Sequence, residues 1–217
     1  MMILKKPFLR GWFHAVAAIG AVLLTIALCW RSRADQPRFI SLLIYGLSMI
    51  ELYTVSALYH IGSWREPVRS KLRALDHANI FILIAGTYTP LCFNLLSGWL
   101  RPTILIIIWS LAVVGIGLAT FTLHTPRWVT VSLYICMGWV VILALPVFLA
   151  IVPWMAVGLL LLGGILYTIG AVIYALKWPD PFPSVLGFHE VFHLFVIAGS
   201  VVFAVVIWYW AVTFPRA

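Results

Sequence analysis

The chain alternates between long apolar runs and short polar connections. Seven runs stand out, at 13–30, 39–61, 77–96, 102–123, 128–150, 154–176 and 188–214. Each is roughly 18–25 residues long, the length an α-helix needs to cross a hydrocarbon core. The runs are too long for barrel strands. Lipid also leaves no partner for unpaired backbone groups, so helix is the spanning structure that fits. The connections 31–38, 62–76, 97–101, 124–127 and 177–187 are too short to make a second domain. Only residues 151–153 separate the fifth and sixth runs, which predicts a tight turn. Pro90 and Pro146 fall within runs and predict kinks. The expected fold is all-α: one integral membrane domain over 1–217, built as a seven-transmembrane-helix bundle.

Composition agrees. The chain is 64% hydrophobic and 9% charged, where a soluble domain carries about 25% charged residues. There are too few polar side chains to cover a surface in water. Nucleic acid is excluded as a partner, because no basic run carries interleaved aromatics on a polar face. Cys29, Cys92 and Cys136 all lie inside apolar runs and show no paired spacing, so they read as small apolar residues. The first run is about as long as a membrane span and has no small-x-small cleavage site before Arg31, which reads as a retained helix. The tryptophans cluster near run ends, as interface anchors do.

Charge orients the bundle. Nine Lys and Arg fall on the N-terminal side of the alternation and five on the other. The excess of positive charge marks the cytoplasmic side, so the N-terminus is expected inside and the C-terminus outside. Arg65, Arg69, Lys71 and Arg73 make up the densest basic cluster, read as a topogenic patch against anionic headgroups.

Candidate chemistry sits at the entrance to the seventh run, in Gly187-Phe188-His189-Glu190-Val191-Phe192-His193. Two histidines four apart on a helix differ by about 6 Å in rise and about 40° in azimuth, so they can share one ion. The HExxH form is also that of zinc metalloproteases, where the Glu is the general base. A second pair with the same spacing, Ser56 and His60, ends the second run, and Asp76 is expected in the first turn of the third. The predicted topology puts His60, His189, His193, Asp76 and Ser56 at one depth, in the cytoplasmic leaflet. Three neutral imidazoles suffice for a catalytic zinc site with an open position for water. Asp76 reads as base or orienting acceptor for that water, ahead of Glu190, with Ser56 hydrogen-bonding nearby. His14 and His124 read as interfacial, and His77 as structural or loop-facing. Glu51 is the exception in the second run. It lies nine residues before His60, so it points about 180° away and about 13 Å deeper. It either packs protonated against another helix or lines a polar cavity.

The chain resembles the hemolysin III-like proteins, bacterial members of the progestin and adipoQ receptor family, within a wider set that includes alkaline ceramidases. The resemblance is carried by Ser56-Ala57-Leu58-Tyr59-His60, Lys71-Leu72-Arg73-Ala74-Leu75-Asp76-His77, Ile84-Ala85-Gly86-Thr87-Tyr88-Thr89-Pro90 and the His189–His193 motif, in that order. It implies zinc as cofactor, held by His60, His189 and His193, with Asp76 and Ser56 beside the metal-bound water. It also implies a protein of the bacterial cytoplasmic (inner) membrane. The first run departs from the pattern, since Arg10-Gly11-Trp12-Phe13 stands where relatives often carry a polar or acidic stretch before a histidine.

The leading expectation is a zinc-dependent hydrolase of a lipid amide or ester, ceramidase-like, reached by substrate diffusing among membrane lipids. Two other readings stay open: a non-enzymatic sensor or receptor-like protein with structural zinc, and a pore-forming hemolysin. Against the last, no run apart from Glu51 presents a charged stripe to line a pore. Nothing in the pattern bears on oligomeric state.

Overall fold

The computed structural model describes residues 7–121 and 126–215. Lys5, Lys6, His124, Arg216 and the predicted end of the fourth span at Leu123 lie outside the described residues. The helices are α1 (Trp12–Ser32), α2 (Gln36–Ile61), α3 (Val68–Leu95), α4 (Leu100–Phe121), α5 (Arg127–Gly138), α6 (Leu145–Ile151), α7 (Trp154–Leu176) and α8 (Phe188–Val206). Five of them cross alone; α5, a 3-10 segment Trp139–Ala144 and α6 together make the fifth span, and α8 continues into a π-helical segment Ile207–Ala211 to make the seventh. Among the described residues seven spans are long and apolar enough to cross a membrane, and no strand is present.

α3 occupies the centre. The interior holds 83% of its apolar window, against 22% for α1 and for α4. It packs between α2 and α4, while α7 and α8 pair and α1 bridges α2 to α8. Small residues bring the helices together. A side chain at Gly86 would strike Ser48 of α2, and one at Gly199 would strike the Tyr167 ring of α7. Close approach of this kind is how helices gain packing energy where lipid competes for every apolar contact. Deep in the bundle, Tyr53 donates to Ser200 Oγ at 2.6 Å and Tyr167 Oη lies 2.8 Å from the same oxygen. That hydroxyl therefore ties α2, α7 and α8.

Two elements differ from the sequence pattern. α3 begins at Val68, nine residues before the predicted start at 77, so Asp76 lies about two turns into the helix and not in its first turn. The apolar run undercounts the helix because the helix continues through the headgroup layer, where charged residues are tolerated. The fifth span is interrupted before Pro146, which has no N–H to bond the preceding turn. Tyr88 serves the interruption, donating to Gly138 O at 2.7 Å and accepting from Val141 N at 2.8 Å.

Among the described residues, the positive charges on the far end from the N-terminus have a structural use. Arg31 donates to Trp208 O at 3.0 Å, Arg38 to Val212 O and Phe214 O, Arg101 to Leu96 O at 2.6 Å and Arg33 to Trp30 O at 3.4 Å. These carbonyls lie at helix C-terminal ends, which lack intrahelical donors and carry partial negative charge.

Candidate metal centre

The start of α8 is held from two directions. Asp180 Oδ1 accepts from Phe188 N at 2.9 Å, and Glu190 Oε2 reaches back to Gly187 N at 2.7 Å, as in a capping box. Glu190 is fully buried, and its other oxygen lies 3.1 Å from Arg10 Nε. Both carboxylate oxygens are thus engaged in fixing α8 and the segment before α1. Glu190→Gln is expected to lower unfolding stability by about 3 kcal/mol, the low end for a broken buried pair because Arg10 keeps some access to water. Chemical denaturation in detergent, run beside metal analysis, checks this. A variant of unchanged stability that had lost metal would instead make Glu190 part of the centre.

With α8 fixed, His189 and His193 project one turn apart toward the end of α2. His60 Nε2 and His189 Nε2 are 3.0 Å apart. The ring centroids of His189 and His193 are separated by 4.6 Å, and those of His60 and His193 by 5.3 Å. One nitrogen from each of the three lies within 4.8 Å of the others, and all three residues are buried. Asp76 Oδ2 is 3.6 Å from His60 Nε2. Ser56, one turn before His60 and buried, lines the same interior cavity as Asp76, His189 and His193. The structure therefore gathers the five residues that the sequence singles out.

The donor set fits a divalent ion. A tetrahedral zinc with Zn–N bonds near 2.0–2.1 Å has nitrogen–nitrogen edges of about 3.3 Å, close to the His60–His189 separation. His193 Nδ1 is buried with no hydrogen-bond partner. Imidazole ligation is compatible with zinc and equally suits other first-row ions.

Gly11 makes the approach of α1 possible. Its φ is 87°, and a Cβ there would lie 2.9 Å from His60 Cβ. A residue with a side chain would be strained by its backbone angle and would also push on the His60 backbone.

His14 and Glu51 are placed differently from their sequence readings, and His77 takes the structural of its two. His14 is only 2% exposed and stacks on His193, with centroids 3.7 Å apart at 13°. It is not interfacial. Both its ring nitrogens lack partners, and it lines the cavity at the centre. The depth argument that collects the other histidines applies to His14 as well, because it stands near the start of the first span at the same end. His77 bridges inward, with Nε2 3.4 Å from Tyr174 Oη. Glu51 is exposed on the outer face of α2 in line with Leu47 and Leu58, and lines neither cavity described below. The polar-cavity reading of Glu51 is thereby corrected: rotation about α2 turns it outward, and what it offers the interior is its carbonyl, which accepts from Asn79 Nδ2 at 3.4 Å.

Two cavities meet at the centre. The inner one, about 110 Å³, is lined mainly by apolar side chains, among them Ile80, Leu91, Ile104, Phe148 and Leu160. The outer one, about 240 Å³, opens at the N-terminal end of the bundle. Asp76, His77, Tyr174 and His189 line both.

Fold and site together define an integral, seven-span helical membrane protein with a buried histidine-rich centre. The chain belongs to the haemolysin-III-related family: a family model of that description matches residues 2–204. It is 36% identical over 220 residues to the hemolysin-3 homolog of Bacillus subtilis (strain 168), covering 99% of each chain. It is 36% identical over 200 residues to hemolysin-3 of Bacillus cereus, covering 90% of this chain and 87% of the other. Identity to the human monocyte to macrophage differentiation factor, a progestin and adipoQ receptor family member, is 28% over 205 residues, covering 90% and 80%.

Proposed function

We propose that the protein is a zinc-dependent hydrolase of a lipid amide or ester, with its centre in the cytoplasmic leaflet of the bacterial inner membrane. One observation carries the reading: a buried three-imidazole cluster with a carboxylate beside it opens onto a long apolar cavity. A ligand-holding site with purely structural duty has no need of that cavity. Along α3 the cavity runs from Asp76 to Cys92, about 24 Å of helix axis, which suits an acyl chain.

His60, His189 and His193 would hold the ion, which when bound supplies Lewis acidity and a water of lowered pKa. The chain's own residues do the rest. The apolar cavity holds the acyl chain and keeps bulk water from the carbonyl. Asp76 accepts the proton of the attacking water at a carboxylate oxygen and returns it to the departing nitrogen or oxygen as the acyl bond breaks. Ser56 donates its hydroxyl proton toward the carboxylate or the developing oxyanion. His14, stacked on His193, keeps that ring in one orientation.

The orientation rests on charge. Among the described residues seven Lys and Arg lie at the end of the bundle that carries the site and four at the other, and those four bond helix C-terminal carbonyls. Their capping role accounts for positive charge on the outer side.

The test is turnover. Purified protein, zinc-supplemented and placed in nanodiscs, is expected to release fatty acid from long-chain amides or esters, and a chelator is expected to stop it. A panel of lipid amides and esters left intact by the zinc-loaded protein would overturn the proposal in favour of structural metal.

A further inference from the structure

The outer cavity is a cationic vestibule. Arg10, Arg69, Arg73 and Arg127 line it, brought together from the segment before α1, the first two turns of α3 and the start of α5. Asp76 is the one acid in its lining. Glu190 neutralises Arg10 from behind. No carboxylate among the described residues pairs with Arg69, Arg73 or Arg127. Arg127 is held at the mouth, its guanidinium 4.8 Å over the Tyr174 ring.

Orientation in the membrane does not by itself require this arrangement. Any exposed positive charge at this end serves the topogenic purpose, and Arg65, Lys71 and Lys177 do so without lining the vestibule. Every cation that lines it is arginine, and both described lysines at this end lie outside it. Arginine is the side chain whose planar fork matches a phosphate or carboxylate with two parallel hydrogen bonds. Spacing on α3 makes the same point. Arg69, Arg73, Asp76, Ile80, Ile84 and Leu91 recur at intervals of three, four or seven, so one face of the helix passes from cationic to apolar through the centre. The face spans about 33 Å of helix axis, the extent of a whole amphiphile from head to tail.

We infer that the vestibule selects an anionic head, so that the substrate is an amide or ester with an apolar acyl chain on one side of the scissile bond and a phosphate or carboxylate on its leaving-group side. The inference rests on the hydrolase reading for the bond that is cut. The selection of the head is a binding property and is tested apart from it. On hydrolysis, water's hydroxyl goes to the acyl carbon and its proton to the leaving amine or alcohol. The anionic fragment departs through the vestibule and the fatty acid remains on the lipid side.

The experiment uses full-length protein in phosphatidylcholine nanodiscs free of anionic lipid. Two fluorescent single-chain amphiphiles of equal length are compared, one with an alkyl phosphate head and one with a neutral polyol head. Neither contains an amide or acyl ester. The phosphate head is expected to bind about tenfold more tightly at low salt, the gain of one or two charge-assisted hydrogen bonds. Arg69→Gln with Arg73→Gln is expected to bring the two heads to within about threefold, and raising the salt to shrink the preference in wild type. Arg65→Gln with Lys71→Gln removes equal charge from the same end outside the vestibule and is expected to keep the preference. Both double variants are checked for a single symmetric peak in gel filtration. Equal binding of the two heads by wild type overturns the inference. Loss of preference in the Arg65/Lys71 variant overturns it too, by assigning the effect to general surface charge. Inorganic phosphate that displaces the probe at the probe's own concentration makes the ligand a free anion and overturns the amphiphile. A preference that holds while no amide or ester is ever cleaved leaves the head selection standing and overturns the hydrolase reading alone.

Discussion

His189→Ala is expected to strip the metal from the protein, from about one ion per chain to background, because two imidazoles fall short of the three protein ligands that a catalytic site uses beside its open position. The expectation follows from the geometry. His189 Nε2 faces His60 Nε2 at 3.0 Å and belongs to a set whose nitrogens all fall within 4.8 Å. Removing it takes one of three donors from a buried site, and His14, stacked on His193, is not in the set whose nitrogens fall within that distance of one another. Changes to residues that only orient ligands cost roughly 10–100-fold in metal affinity; loss of a ligand is expected to cost more. Elemental analysis of zinc-supplemented, buffer-exchanged wild type and variant reads the result directly. Equal metal in both would remove His189 from the centre and with it the three-histidine assignment.

Asp76→Asn is expected to do the opposite: to keep the metal and lose the chemistry. The amide has the shape of the carboxylate and fills the same space between His60 and the inner cavity, so α3 has no reason to shift. It cannot take a proton at neutral pH. Turnover is expected to fall by about 10²–10⁴-fold, the usual contribution of a positioned general base, with metal content unchanged. A structural-metal reading predicts another pattern. There Asp76 matters only as a neighbour 3.6 Å from His60, and its loss loosens the metal or the fold together. An Asp76→Asn protein with full turnover would leave the reaction without its base.

Much of the fold was legible because lipid imposes a simple rule on sequence. A span must be long, apolar and helical, and hydropathy records that one residue at a time. The depth of His60, Asp76, His189 and His193 followed from the same rule, since alternating spans bring the end of the second and the starts of the third and seventh to one side. What hydropathy does not record is rotation about each helix axis. Glu51 shows this. Its angular distance from His60 follows from helix geometry, yet whether the opposite face meets a cavity, a neighbour or the outside depends on where α1 and α3 pack. In the structure they leave it exposed. His14 shows the reverse: a residue dismissed for standing at a helix end is buried against His193 because Gly11 lets α1 come close to α2. Glu190 belongs with them. HExxH spacing places it one residue after His189, and only the position of Arg10 gives its second carboxylate oxygen an ion pair.

The His189–His193 pair and its relation to His60 and Asp76 were therefore set by sequence alone, as were the seven spans and the class of the protein. Local spacing and membrane depth are properties of one chain segment at a time. The tertiary structure decided the remainder: that the centre sits between an apolar cavity and an arginine-lined vestibule, that His14 closes one side, and that Glu51 stands apart. The first two depend on contacts between segments more than 40 residues apart, and the third on how α1 and α3 pack against α2. Such contacts are fixed by the side chains that pack between helices, and no periodicity along a single helix carries that information.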